Sequence, residues 1–297
     1  MILKHVVTPE DDGKTVKHIL KNRLQLSERL VKKLKYESKI LCNSTPIRIN
    51  EFVSSEDIVE AQIDFIENAG DIVPENIDID IIHEDDCLIV VNKRPDTVVH
   101  PTFGHLSGTV ANAIMYHMTK KGEFKKIRPV SRLDRDTSGI IIFAKNPFVQ
   151  EALIRQMNLN TFKKEYIGIV HGIVRDTAGT ICLPIERKPG SIMLRHVSDT
   201  GYKSVTHYKV LEYLNRATYL KFGLETGRTH QIRVHCQAIG HPLMGDTLYS
   251  DIITSLINRQ ALHSYKVSFI HPASNARFEL KAPIPEDISS LLKNLRQ

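Results

Sequence analysis

Eight strand-length apolar runs crowd the C-terminal two-thirds of this chain, and helical patterns interrupt them only four times. The runs are Ile79–His83, Leu88–Val91, Gly139–Lys145, Glu165–Val170, Ser204–Leu211, Ala217–Leu224, Ala261–Ile270 and Arg277–Lys281. The helical patterns are Gly108–Met118, Pro147–Met157, Thr229–Ile239 and Glu286–Leu295. Strands that do not alternate one for one with helices argue against a doubly wound parallel sheet. They predict an α+β domain on a mixed, largely antiparallel β-sheet with flanking helices and loops.

The first 80 residues read differently. Thr15–Leu24 carries Val16, Ile19, Leu20 and Leu24 at helical spacing. Ser27 is placed to cap a second helix that buries Leu30, Val31 and Leu34 and exposes Arg29, Lys32, Lys33 and Lys35. Short strand-like pieces follow at Ile40–Cys42, Ile47–Ile49 and Ile58–Ile63, with turn chemistry from Asn43 to Pro46. Charge divides along the same lines. Gly13–Asn50 holds ten Lys/Arg against two Glu; Glu51–Asp86 holds thirteen Asp/Glu and no Lys/Arg; the rest is basic again, 29 against 16. Two basic modules joined by an acidic connector fit a polyanionic partner better than a neutral one. We place a small module at 13–72, a linker at 73–78 and a larger domain at 79–297.

Several function classes are excluded by what the chain lacks. It has no GxSxG, no phosphate-binding P-loop, no GxGxxG after a strand and no HExxH. Its fourteen histidines form no ligand set, and His230 and His235 are five apart, the wrong spacing for one helix face. Neither a metal nor a cofactor is expected. Four scattered cysteines without a CxxC pair argue against a disulfide scaffold. There is no apolar run long enough to span a membrane and no signal-peptide pattern in Met1–Lys14, so the expectation is a cytoplasmic protein.

Two polar segments carry the chemistry. In Arg128–Lys145 a polar cluster, Ser131–Gly139, runs straight into a buried-looking strand, so a loop is pinned to a rigid element. Asp134 stands there between Arg132 and Arg135. In Thr226–Gly245, Thr229 looks like the N-cap of a helix from His230 to Ile239, stopped by Gly240 and Pro242. His230 and Arg233 share one face of that helix, while Ile232, Cys236 and Ile239 point elsewhere.

Ser131-Arg132-Leu133-Asp134-Arg135-Asp136-Thr137-Ser138-Gly139 resembles the His-Arg-Leu-Asp-x-x-Thr-Ser-Gly signature of the RluA/RluD-type pseudouridine synthases. Three further segments agree in order: Asp85–Pro95 with His100-Pro101, Lys164-Glu165-Tyr166, and Gly227-Arg228-Thr229-His230-Gln231-Ile232-Arg233. Ser131 replaces the usual His, Arg94 interrupts the usual Lys-Pro, and Gly168 stands where Ala is common. The first module, with Ile47-Arg48-Ile49-Asn50, resembles an S4-type RNA-binding domain. The resemblance implies an RNA pseudouridine synthase, an isomerase that needs no cofactor, acting on ribosomal RNA first and transfer RNA second, and working as a monomer. It implies Asp134, Tyr166 and Arg233 as catalytic residues, with Arg233 paired to Asp134. Arg132, Arg228, His230 and Gln231 would bind substrate, and Arg29, Lys32, Lys33 and Lys35 would bind RNA. Whether Asp134 attacks the sugar carbon or takes a sugar proton stays open. Two other readings are kept: a catalytically silent RNA-binding or assembly factor, and a glycosidase-like enzyme acting on free nucleosides.

Overall fold

The structure, a computed structural model, describes residues 1–63, 72–123 and 125–297. The chain begins with β1 (Ile2–Val6), α1 (Val16–His18), α2 (Glu28–Tyr36), β2 (Ile40–Cys42), β3 (Thr45–Pro46) and β4 (Ile58–Gln62). The four strands form an antiparallel sheet in the order β1-β4-β2-β3. The module therefore starts at Ile2, not at residue 13. Thr15 caps α1 as its sequence predicts, but after one turn the helix widens into a π-type turn over Ile19–Arg23, closed by Leu24 N on Ile19 O at 3.0 Å. Ser27 caps α2, accepting from Leu30 N at 3.2 Å. The strand expected at Ile47–Ile49 lies at Thr45–Pro46 instead. Asn43 and Ser44 both adopt positive φ, as a two-residue hairpin turn requires, so pairing resumes at once. One further bond follows, Ile47 N on Ile40 O at 3.1 Å, and Arg48–Glu51 then closes into a turn of its own. The segment 64–71, inside the expected first module, lies outside the described residues. Beyond it the connector follows the large domain: Glu75 accepts from Gly108 N at 3.0 Å.

The large domain continues with β5 (Asp80–Glu84), β6 (Leu88–Lys93), α3 (Val110–Lys120), β7 (Arg128–Pro129), β8 (Ser138–Ala144), α4 (Pro147–Asn158), β9 (Lys163–His171) and β10 (Ala178–Cys182). A separate hairpin follows, β11 (Ile185–Arg187) and β12 (Arg195–Val197). Next come β13 (Val205–Leu214), β14 (Ala217–Leu224), α5 (Gln231–Ala238), β15 (Leu262–Ile270), β16 (Arg277–Lys281) and α6 (Glu286–Leu295). The sheet order is β10-β13-β14-β9-β15-β8-β6-β5, with β16 beside β15 and β7 beside β8. It is a mixed, largely antiparallel sheet, and the fold class is α+β as the strand pattern predicts. All eight predicted strands and four predicted helices of this domain are present, with ends shifted by a few residues.

The centre of the sheet positions the site. Among the described residues one ladder is parallel, the short contact of His263 and Ser264 in β15 with Ser138 and Gly139 in β8. Gly139 has φ +106°, and a Cβ there would fall 2.2 Å from Ser264 O, so only glycine lets the strands meet. At the same level Ser264 pairs across to Tyr166 of β9, and Tyr166 to Phe222 of β14. The loop that ends in Gly139 is thereby delivered beside Tyr166.

The first module is docked, not tethered. Leu26, Leu30 and Ile63 share one buried cluster with Phe148, Val149 and Leu153 of α4. Ser27 Oγ donates to Glu151 Oε1 at 2.9 Å, and Arg155 donates to Gln25 O and Oε1 at 3.1 and 2.7 Å.

An ionic hub ties β5 to α3 and β8. Glu84 takes hydrogen bonds from Lys145 (2.9 Å), His117 (2.8 Å) and Lys121 (2.6 Å). Burial alone would raise its carboxyl; the three donors together outweigh that and hold it at about 2. A depressed carboxyl contributes stability that is present above the unfolded value near 4.5 and is lost as pH falls through about 2. Replacing Glu84 by Gln is expected to cost about 2–3 kcal/mol at neutral pH and to flatten the acid limb between those two values. Denaturant unfolding at a series of pH values checks this. An unchanged acid limb in the variant would remove Glu84 as its source.

Candidate active site

Asp134 lies in the loop between β7 and β8, and two buried cations pin that loop. Lys93 Nζ donates to Arg135 O at 2.6 Å and also to Arg94 O and Thr97 O at 2.8 and 2.9 Å. Burial pushes its amine down to about 7, against the pull of Asp136. From the other side Arg259 donates to Asp136 O at 3.0 Å and Ser138 Oγ at 3.2 Å, and is itself held by Asp287 of α6 at 2.6 Å. Gln260 adds a bond to Thr137 Oγ1 at 3.2 Å. Three carbonyl acceptors around one lysine are a reason to bury a charge that would otherwise be costly.

The cations beside the Asp134 carboxylate are not its sequence neighbours. Arg135 turns to Asp136 and Asp96, and Arg132 donates to Thr229 Oγ1 at 3.1 Å. Arg233 Nη1 lies 3.5 Å from one carboxylate oxygen of Asp134, and His230 Nε2 lies 3.9 Å from the other. The expected pairing of Arg233 with Asp134 needs correction in its strength. The firm partner of Arg233 is Asp246, joined by two bonds of 2.7 Å in a fork-to-fork pair. Asp246 is fully buried and also accepts Leu248 N and Tyr249 N, so it is itself rigid. Arg233 reaches Asp134 with the one guanidinium nitrogen this pair leaves over.

His230 is also placed differently from its prediction. Helix α5 starts at Gln231, and His230 occupies its N-cap in the left-handed region at φ +57°. Thr229 does not cap, because its hydroxyl is taken by Arg132. A non-glycine residue held at positive φ is strain that the surroundings must enforce, and here the enforcing contact is visible. Tyr249 Oη accepts Arg195 N–H at 2.9 Å and lies 2.8 Å from His230 Nδ1. With Nε2 facing a carboxylate, every group is satisfied when Tyr249 O–H donates to Nδ1 and the imidazole proton sits on Nε2. Burial lowers the imidazole pKa, partly opposed by Asp134, which favours the neutral ring.

These residues open on a cleft of about 890 Å³, lined among others by Asp134, Tyr166, Arg132, Arg228, Thr229, His230 and Arg233. Five of its lining residues are Lys or Arg (Arg132, Lys164, Lys203, Arg228 and Arg233), and two are acidic. The second acid, Glu225, is exposed and engaged by His207 at 2.7 Å. Tyr166 is buried, and burial raises its phenol further above its usual range, so it stays protonated. Arg228 lies over the Tyr202 ring at 5.3 Å on the exposed rim. Gln231, expected to bind substrate, spends its amide on the protein. It accepts from Thr226 Oγ1 and Arg228 N and donates to Val205 O and Thr206 Oγ1, all between 2.8 and 3.0 Å. Its part is to hold the 226–228 loop. On the first module, Arg29, Lys32 and Lys35 are exposed and Lys33 is half-buried.

One group among the described residues could offer three metal ligands: Asp85, Cys87 and His271, whose atoms lie within 4.8 Å. Asp85 is already engaged by His83, Cys87 N and Leu88 N, and burial pushes the Cys87 thiol up to about 11, so it stays a thiol at neutral pH. None of the three lines the cleft.

Comparison with known proteins gives the family of the chain. Residues 87–238 match the family model described as RNA pseudouridylate synthase. The chain is 37% identical over 98% of its length, and 96% of the relative's, to the uncharacterized RNA pseudouridine synthase YhcT of Bacillus subtilis. It is 37% identical to the ribosomal large subunit pseudouridine synthase D of Neisseria meningitidis serogroup A, over 88% of this chain and 72% of that one. This chain belongs to the RNA pseudouridine synthase family. The synthase also shares its fold with human RNA pseudouridylate synthase domain containing 1, at TM-score 0.59 and 22% identity over 75% of this chain and 96% of that one. Synthases of this family are isomerases that act on RNA. No helix among the described residues is long and apolar enough to cross a membrane.

The residues that sequence reasoning missed are Asp246, Tyr249, Lys93 and Arg259. Asp246 left a signal: it follows Pro242 and the positive-φ Gly245 and caps the turn after it. Lys93 stands in the Asp85–Pro95 segment, but nothing local says that it reaches Arg135 O 42 residues on, or that Arg259 reaches Asp136 O 123 residues back.

Proposed function

We propose that this synthase converts uridines of ribosomal RNA to pseudouridine, with Asp134 as the carboxylate that acts at the sugar. The observation that carries the reading is the Asp134 carboxylate, set in a cationic cleft between Arg233 and His230 and beside a buried tyrosine. In the reaction the N1–C1′ bond breaks, the uracil turns, and a C5–C1′ bond forms. The C5 proton leaves to solvent and N1 gains one, so atoms balance without a co-reactant. Asp134 either attacks C1′ or takes a sugar proton. One carboxylate suffices because the leaving base is recaptured, whereas glycoside hydrolysis needs two to admit water. Arg233 orients the carboxylate from one side and His230, through its Nε2–H, from the other. Tyr166, a neutral phenol, packs against the base. The uridine has to leave its stack to enter, and Arg132 and Arg228 at the mouth are placed to hold the flipped nucleotide.

Ribosomal RNA is favoured by the name of the Neisseria relative, with transfer RNA second. The first module supports the same choice: read as an S4-type domain, it presents Arg29, Lys32, Lys33 and Lys35 to the RNA from a rigid seat on α4. The synthase is proposed to work as a monomer in the cytoplasm. The test is tritium release from carbon-5-labelled uridine in ribosomal RNA transcripts, transfer RNA and free nucleoside. Release from ribosomal transcripts alone is expected. Release from free nucleoside would replace the reading with a nucleoside-processing enzyme, and no release from any substrate would leave a silent RNA binder.

A further inference from the structure

Lys164 belongs to the Lys-x-Tyr segment, yet nothing in the site described above uses it. It lies two residues before Tyr166 on β9, so both side chains leave the same face of the strand, about 7 Å apart. Both line the same cleft. Tyr166 sits beside Asp134, and Met157, Asn158, Asn160 and Phe162 line the same cleft with Lys164. Its ammonium is 5.7 Å from the centre of the Phe162 ring. Among the described residues no carboxylate lies within ion-pair distance of it. The contrast with the neighbouring cations is plain. Lys93 has three carbonyls, Arg233 has Asp246 and Arg259 has Asp287. Lys164 is half-buried and is the one of these four with neither a hydrogen-bond acceptor nor an ion pair, and burial pushes its amine down to about 8. A desolvated cation facing a cleft is costly unless an anion completes it.

We propose that Lys164 binds a backbone phosphate of the RNA next to the flipped uridine, one nucleotide's reach from the base held at Tyr166. This rests on the pseudouridine synthase reading and names a subsite within it. The proposal gives the cleft a polarity. The base and sugar occupy the Tyr166–Asp134 end, and the strand leaves along the Lys164 wall toward the C-terminal end of α4, the helix on which the basic first module is seated.

The experiment uses full-length enzyme and a ribosomal RNA fragment that the wild type converts. Single phosphates flanking the converted uridine are replaced by uncharged methylphosphonates. Lys164→Met keeps the length of the side chain and removes its charge; Lys164→Arg keeps the charge. We expect Lys164→Met to raise KM about tenfold, more than it lowers kcat, as loss of one charge-assisted hydrogen bond does. It should also reduce the slope of log affinity against log salt by about 0.7. One methylphosphonate position should produce the same loss in the wild type and no further loss in Lys164→Met, while Lys164→Arg recovers most of the affinity. Losses that multiply at every phosphate, or an unchanged salt slope, would overturn the subsite. Failure of the wild type to convert any ribosomal RNA fragment that it binds would instead overturn the functional reading, and the salt slope of binding would still test Lys164.

Discussion

Replacing Asp134 by Asn is expected to lower turnover by about 10²–10⁴-fold or more, the range that a positioned acid–base or nucleophilic group supplies. RNA affinity should stay within a few-fold. Asn keeps the shape of the side chain, and the loop that carries it is fixed by contacts that do not involve the carboxylate: Lys93 on Arg135 O, Arg259 on Asp136 O, Gln260 on Thr137. Stability should therefore change little, and the loss should sit in chemistry. Single-turnover rates with saturating enzyme separate the two. Retention of more than about 1% of wild-type turnover would remove Asp134 from its role.

The second large effect is expected at the buried pair behind it. Arg233 and Asp246 are both almost inaccessible to solvent and joined by two bonds of 2.7 Å. Arg233→Ala leaves Asp246 as an uncompensated buried charge, and breaking such a pair costs on the order of 3–5 kcal/mol of folding stability. It also takes from Asp134 its nearest cation, so turnover should collapse even on RNA in which the uridine is already unpaired. Asp246→Ala should destabilise by a similar amount, because it strands the guanidinium. Its turnover should fall as well, since the freed arginine is no longer held at 3.5 Å from Asp134. Denaturant unfolding and single-turnover rates on both variants check this. A stable, inactive Arg233→Ala would mean that Asp246 tolerates isolation. A stable, active one would remove Arg233 from the site altogether.

The comparison of these two residues shows where sequence reading reaches its limit. Asp134, Tyr166, Arg233 and His230 were all legible as candidates, because each lies in a segment whose spacing is shared with a known family. Eight strands and the four helices of the large domain were legible from periodicity, since β8 is a continuous buried run and α5 is bounded by Gly240 and Pro242, while the short β7, β10, β11 and β12 were not. What was not legible is who pairs with whom. Asp246 lies 13 residues beyond Arg233 in a turn, and nothing local says that it outcompetes Asp134 for the guanidinium. His230 was read as the first residue of a helix because Thr229 is a good cap. The structure instead spends the Thr229 hydroxyl on Arg132 and accepts strain at His230 to aim its ring at Asp134. In the first module, β1 was missed because Lys4 and His5 interrupt its apolar run and Ile2–Val6 has no buried residue, only exposed and half-buried ones in alternation. The strand expected at Ile47–Ile49 was displaced by turn geometry, which sequence periodicity does not see.

The central claim is that this protein forms pseudouridine in RNA through Asp134. Its most direct test is to map pseudouridines in ribosomal RNA from cells that lack the protein, complemented with the wild type or with Asp134→Asn expressed at equal levels. The expected result is that one or more ribosomal sites lose pseudouridine in the deletion, regain it with the wild type and stay uridine with the variant. Restoration of those sites by Asp134→Asn would contradict the account.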